Sequence, residues 1–212
     1  MIVHHFTTPI TTPFARKSTQ IYGDLHRFWE KAKIKESAKK PEITGLYRLI
    51  KGYKIMIKIL FVCHGNICRS PMAACLFSQM AKARGLDCVV SSAATSREEI
   101  GNPMYPPARR KLKEMGVPFG HHRAVQMTRE DYGAYDFLLA MDSANVKNMK
   151  AIAGGDPEGK IRRLLDGTPH PRDIADPWYT GNFDATYADL AEGCQALLDR
   201  LEKMSYLKNP SE

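Results

Sequence analysis

Residues 62–71 read Val-Cys-His-Gly-Asn-Ile-Cys-Arg-Ser-Pro, which places Cys63 six positions ahead of Arg69. A sulfur nucleophile, a guanidinium and a loop that can turn its amides inward are the parts of a phosphate cradle. Successive N–H groups at a helix N-terminus bind anionic oxygens. Gly65 and Asn66 tolerate the left-handed backbone that such a loop uses. Arg69 offers a planar fork to two oxygens, which lysine does not. Ser70 is placed either to cap the following helix or to send its hydroxyl into the loop, and Pro71 fits a first helical turn. Amid N–H dipoles and facing a guanidinium, Cys63 is expected to be a thiolate. A thiolate can attack phosphorus and form a cysteinyl-phosphate. Without its context, a cysteine six residues before an arginine is a buried thiol beside a surface charge. The full string after an apolar run carries far more information.

An attack of this kind needs an acid to protonate the departing oxygen. Asp176-Pro177-Trp178-Tyr179 supplies a carboxyl on a proline-stiffened loop, with two aromatics that can wall a slot for a phenyl ring. The other Asp-Pro pair, Asp156-Pro157, follows Gly154-Gly155 and reads as a turn.

The elements that must position these groups alternate between strand and helix. The pattern predicts strands at 57–62, 87–92, 136–141 and 161–165, and helices at 71–84, 106–115, 143–151 and 183–204. Strands separated by helices imply parallel β-α-β units with right-handed crossovers. The expected fold is α/β: an open, parallel, four-stranded sheet with helices on both faces and the phosphate-binding loop after the first strand. That loop then lies at the carboxyl end of a strand, where open α/β sheets bind ligands.

The string resembles the signature loop of the low-molecular-weight protein tyrosine phosphatases, Cys-x-Gly-Asn-x-Cys-Arg-Ser-Pro. The resemblance continues through Ser92-Ala93-Ala94-Thr95-Ser96, Ile100-Gly101-Asn102-Pro103, His122 with Gln126, Leu139-Ala140-Met141-Asp142, and Asp176-Pro177-Trp178-Tyr179. It spans about residues 56–205. It implies a hydrolase, a protein phosphatase acting on phosphotyrosine with Cys63 as nucleophile, Arg69 as phosphate clamp and Asp176 as general acid and base. His64, Gly65, Asn66, Ile67, Cys68 and Ser70 would complete the phosphate-binding loop. Asn66, Ser70, Ser92 and His122 would share a hydrogen-bond network beneath it. Asp142 would support the loop, although helix capping is its simplest role. Glu98, Trp178 and Tyr179 would form the substrate rim. The partners implied are phosphotyrosine-containing protein substrates, with inorganic phosphate as product; no cofactor and no metal are expected.

Three positions depart from the family pattern. Glu98 stands where an aromatic is common, Val125 where an arginine is common, and His64 where a small or apolar residue is usual. Cys68 has two open readings: a small buried residue, or a thiol that traps oxidised Cys63 as a disulfide. Cys75, Cys88 and Cys194 fall in helix or strand patterns and read as core. Two neighbouring activities remain as alternatives. Arsenate reductases share the loop but need further cysteines, and none lies between Cys88 and Cys194. Protein arginine phosphatases look to carry Thr where this chain has Ile67 and a smaller residue where it has Trp178. A non-enzymatic phosphate-binding module would not need both Cys63 and Asp176.

The 212 residues carry 31 Lys and Arg against 23 Asp and Glu, a net +8. Residues 1–55 hold 11 of those basic and 4 of those acidic residues, so the excess belongs almost wholly to them. They read as a dispensable basic N-terminal extension, and residues 56–212 as the phosphatase domain. A short basic arm is a weak sign of nucleic-acid binding, and none is expected. No apolar run is long enough to span a bilayer, so no membrane partner is expected. A free nucleophilic thiol fits a reducing cytoplasm. A monomer is expected.

Overall fold

The structure, a computed structural model, describes residues 56–206. The expectation for residues 1–55 lies outside the described residues. Strand β1 (Ile57–Cys63) leads through the loop into helix α1 (Arg69–Ala83). There follow β2 (Cys88–Ala94), α2 (Pro106–Glu114), α3 (Arg129–Ala134), β3 (Phe137–Ala140), α4 (Ser143–Ala153) and β4 (Ile161–Arg163). A 3-10 turn (Leu164–Gly167), a short helix α5 (Pro177–Thr180) and the long α6 (Phe183–Tyr206) complete the described chain.

The four strands form one parallel sheet, as expected, and their order is β2-β1-β3-β4. β1 is central and is buried on both sides from Ile59 to Cys63, which explains its unbroken apolar run. Its side chains alternate between two cores. Ile59, Phe61 and Cys63 face one cluster with Met72, Leu76 and Phe77 of α1 and Leu190, Cys194 and Leu197 of α6. Leu60 and Val62 face the other with Met149 and Ala153 of α4 and Tyr132 of α3. Helices therefore cover both faces. The rings of Phe61 and Phe77 pack 5.8 Å apart, and burying each such ring contributes about 2–3 kcal/mol.

The last strand is shorter than expected. The apolar pattern predicts one strand over 161–165, but pairing ends at Arg163. Asp166 accepts a hydrogen bond from the Arg163 backbone N–H at 3.0 Å, and the chain turns with Leu164 and Leu165 still buried. Apolar character alone does not distinguish these two conformations. Asp156-Pro157 is a turn as read, and Asp156 Oδ1 accepts from Tyr132 Oη and the Lys160 N–H ahead of β4. Cys194 lies fully in the core, while Cys75 and Cys88 pack half-buried against it.

Candidate active site

β1 ends at Cys63, and the chain then curls through residues 64–68 into α1. Asn66 makes this turn possible. It takes φ +57° and is the one described residue other than glycine with positive φ. Gly65 serves differently from expectation, because it is not among the glycines with positive φ. A Cβ there would sit 3.1 Å from Glu99 Cγ, so its missing side chain admits the Glu99 stem against the loop.

Asn66 is fully buried and ties the loop together. Its Nδ2 donates to Ser70 Oγ and to Ser92 Oγ, both at 2.9 Å. Its Oδ1 accepts from the Val125 N–H at 3.1 Å, and its carbonyl accepts from His122 Nε2 at 2.7 Å. Val125 thus contributes backbone, and its side chain is exposed. The loop is also tied to the chain after β2, where the Thr95 and Ser96 N–H groups donate to the carbonyls of Cys63 and His64. Ser70 lies inside α1 rather than capping it, and its hydroxyl turns into the loop, 3.1 Å from Cys63 Sγ. The Asn66 N–H donates to the same sulfur at 3.2 Å. The Asn66 N–H and the Ser70 hydroxyl, which also donates to the Ala93 carbonyl at 3.3 Å, therefore both meet the Cys63 sulfur.

Arg69 is almost wholly buried. Its Nη1 donates to Asp142 Oδ2 at 2.6 Å and to the Ile174 carbonyl at 3.1 Å. Its Nη2 donates to Asp176 Oδ2. Burial works against its charge, but Cys63, Asp176 and Asp142 outweigh that and hold its pKa above the ordinary value. Its Nε is buried with no hydrogen-bond partner among the described residues. An unpaired buried donor on a guanidinium is costly unless a ligand uses it, and a phosphate oxygen is a fitting acceptor. Asp142 joins the loop's arginine to helix α4. While Oδ2 holds Arg69, Oδ1 caps α4 through the Asn145 N–H at 2.6 Å.

Asp176 caps α5 through the Trp178 N–H at 3.1 Å, which fixes its carboxyl beside Arg69. Trp178 is not core: it is 52% exposed, and its ring lies 5.0 Å from that of Tyr105. Tyr179 is 83% exposed. Cys63, His64, Gly65, Ile67, Cys68, Arg69, Glu98, Glu99, Asp176, Trp178 and Tyr179 line one pocket of about 190 Å³. A wider groove of about 740 Å³ passes Ser92 and His122 beyond the loop, but Cys63, Arg69 and Asp176 do not line it. The sequence reading misses Tyr105, Glu99 and the Ile174 carbonyl. Only the position of Glu99 directly after Glu98 could have flagged any of them.

Burial, with the adjacent Cys63, pushes the Cys68 thiol up to about 12, so Cys68 stays a thiol beside its neighbour. Burial also lowers the His122 pKa below its ordinary 6.5, against the opposing pull of its bond to the Asn66 carbonyl. The unfolded chain then binds a proton at His122 that the folded chain refuses. Stability should fall as pH drops from about 6.5 toward the folded value. Melting curves between about pH 5 and 8 test this. The wild-type slope should exceed that of His122→Gln across that window, and equal slopes would contradict it.

A family model described as low molecular weight phosphotyrosine protein phosphatase matches residues 58–206, and the chain belongs to that family. It is 36% identical over 156 residues to the low molecular weight protein-tyrosine-phosphatase YfkJ of Bacillus subtilis, covering 72% of this chain and all of that protein. The crystal structure of YfkJ superimposes with a TM-score of 0.69 over 99% of its chain. SP-PTP, a low molecular weight protein tyrosine phosphatase from Streptococcus pyogenes, is 35% identical over 73% of this chain and 99% of its own, with a TM-score of 0.64. The Drosophila arginine phosphatase DARP is 28% identical over 69% of this chain and 98% of its own, with a TM-score of 0.63. Among the described residues, no helix is long and apolar enough to cross a membrane.

Proposed function

We propose that this protein hydrolyses phosphotyrosine in proteins through a cysteinyl-phosphate intermediate. The observation that carries the reading is the meeting of Cys63, Arg69 and Asp176 in one pocket walled by Trp178. Cys63 attacks in line. Arg69 Nε and Nη2, with the loop amides, hold the equatorial oxygens. The phosphate displaces Asp176 from Arg69, and the freed carboxylate takes up a proton from solvent. It passes that proton to the phenolic oxygen as the P–O bond breaks, and later takes one from the water that releases inorganic phosphate. No metal enters this scheme, because the guanidinium and amides neutralise the developing charge. All the groups come from one chain, so a monomer suffices. A reducing, cytoplasmic setting keeps the nucleophile a free thiol.

A second reading, hydrolysis of phosphoarginine, gains support from the likeness to DARP. Against it, Ile67 and Trp178 present apolar surface, which suits a flat phenyl ring better than a guanidinium. The deciding assay is phosphate release from matched phosphotyrosine, phosphoarginine and phosphoserine peptides, with EDTA and dithiothreitol present. Phosphotyrosine should be preferred by at least about 100-fold, the scale of discrimination that a fitted pocket reaches. Preferential release from phosphoarginine would transfer the assignment to the second reading, and a strict metal requirement would overturn the scheme. Residues 56–212 should show the same ratios, since relatives matched over their whole length correspond to only 72% of this chain.

A further inference from the structure

The loop after β2 places two consecutive glutamates against the nucleophile loop, and the chemistry above does not use them. Glu98 Oε2 lies 3.0 Å from His64 Nε2, so the residue directly after Cys63 is joined to this carboxylate. Glu98 is 72% exposed in its side chain and His64 is 47% exposed, which puts the pair at the mouth rather than in the floor. Glu99 lies over the loop at Gly65, where even one added Cβ would crowd it, and its Oε2 accepts from Asn102 Nδ2 at 2.7 Å. The acidic and basic residues lining the pocket are His64, Arg69, Glu98, Glu99 and Asp176. Arg69 and Asp176 are engaged with each other in the floor. A substrate's flanking residues therefore meet two carboxylates and one imidazole on this side. Trp178 and Tyr179, which carry no charge, make the rim contributed by α5.

We infer that Glu98 and Glu99 select phosphotyrosine sites flanked by lysine or arginine and reject those flanked by acidic residues. This rests on the phosphotyrosine reading and names the class of protein segment it acts on. A cationic flank within a few ångströms of the rim gains attraction, and an acidic flank meets like charge. Both effects are those of exposed charges, modest and screened by salt.

The test uses the full chain and two phosphotyrosine peptides that differ only in bearing Arg or Glu on either side of the phosphotyrosine. The kcat/KM for each is normalised to p-nitrophenyl phosphate, which has no flanks, measured on the same variant. At low ionic strength the Arg peptide should be favoured by about fivefold, through KM rather than kcat. The ratio should fall toward one at about 0.5 M salt, where screening is nearly complete. It should also fall toward one in the double substitution Glu98→Gln with Glu99→Gln, where the amide oxygen at position 98 still accepts a hydrogen bond from His64. A wild-type ratio of one, an acidic preference, or a ratio that survives both substitutions would overturn the inference. Turnover of neither peptide, with p-nitrophenyl phosphate still hydrolysed, would instead overturn the phosphotyrosine reading beneath it.

Discussion

Replacing Cys63 by serine is expected to leave no measurable turnover, a loss beyond about 10⁴-fold in kcat. A serine hydroxyl at this position needs a base to take its proton. The groups in hydrogen-bond contact with the Cys63 sulfur are Ser70 Oγ and the Asn66 N–H, and neither is a base. A thiol is far more acidic than a hydroxyl and a better nucleophile, so sulfur depends much less on such help. Binding should behave differently. Arg69 and the loop amides are untouched in Cys63→Ser, and Asn66 still fixes the loop through Ser92, His122 and Val125. Titration calorimetry with inorganic phosphate should give a Kd within about threefold of wild type, well under the roughly 1.4 kcal/mol that marks a tenfold change. Residual turnover above about one part in a hundred would place the nucleophile elsewhere.

Asp176→Asn should lower kcat by about 10²–10³-fold for phosphotyrosine while KM changes far less. Asparagine keeps an oxygen for the Trp178 N–H, so α5 should stay capped and the wall intact. What it lacks is the proton for the leaving oxygen. The deficit should therefore shrink as the leaving group improves, from a plain phenol to p-nitrophenol, and a series of aryl phosphates measures this directly. An equal loss across the series would mean that the residue shapes the loop and does not protonate the leaving group.

The loop after β1 is readable because the groups it offers are written locally. Cys63, Asn66, Arg69 and Ser70 lie within eight consecutive residues, and their types already state what an anion needs. The parallel sheet follows from the alternation of apolar runs with helical stretches, and β1 declares its central place by being apolar on both faces. Longer-range features are harder. Nothing near Tyr105 signals that its ring backs Trp178, since the two meet only in the fold. Helix α3 leaves little trace in the pattern because it is six residues long with no buried side chain, although Thr128 and Asp131 do form its capping box. Gly65 suggests backbone freedom, and its actual use, a close approach by Glu99, depends on a loop more than 30 residues away.

The bonds that complete the site join residues far apart along the chain. Arg69 reaches Asp142 across 73 positions and Asp176 across 107. The loop after β1 leaves the ribosome early, but the groups that hold its arginine emerge only when most of the domain has been synthesised. A nascent chain therefore carries its cysteine for some time without the carboxyls that complete the site. Such sequence-distant closures form late and slowly. Activity should thus appear abruptly in the life of each molecule, at or after the release of residue 176, and never in shorter fragments.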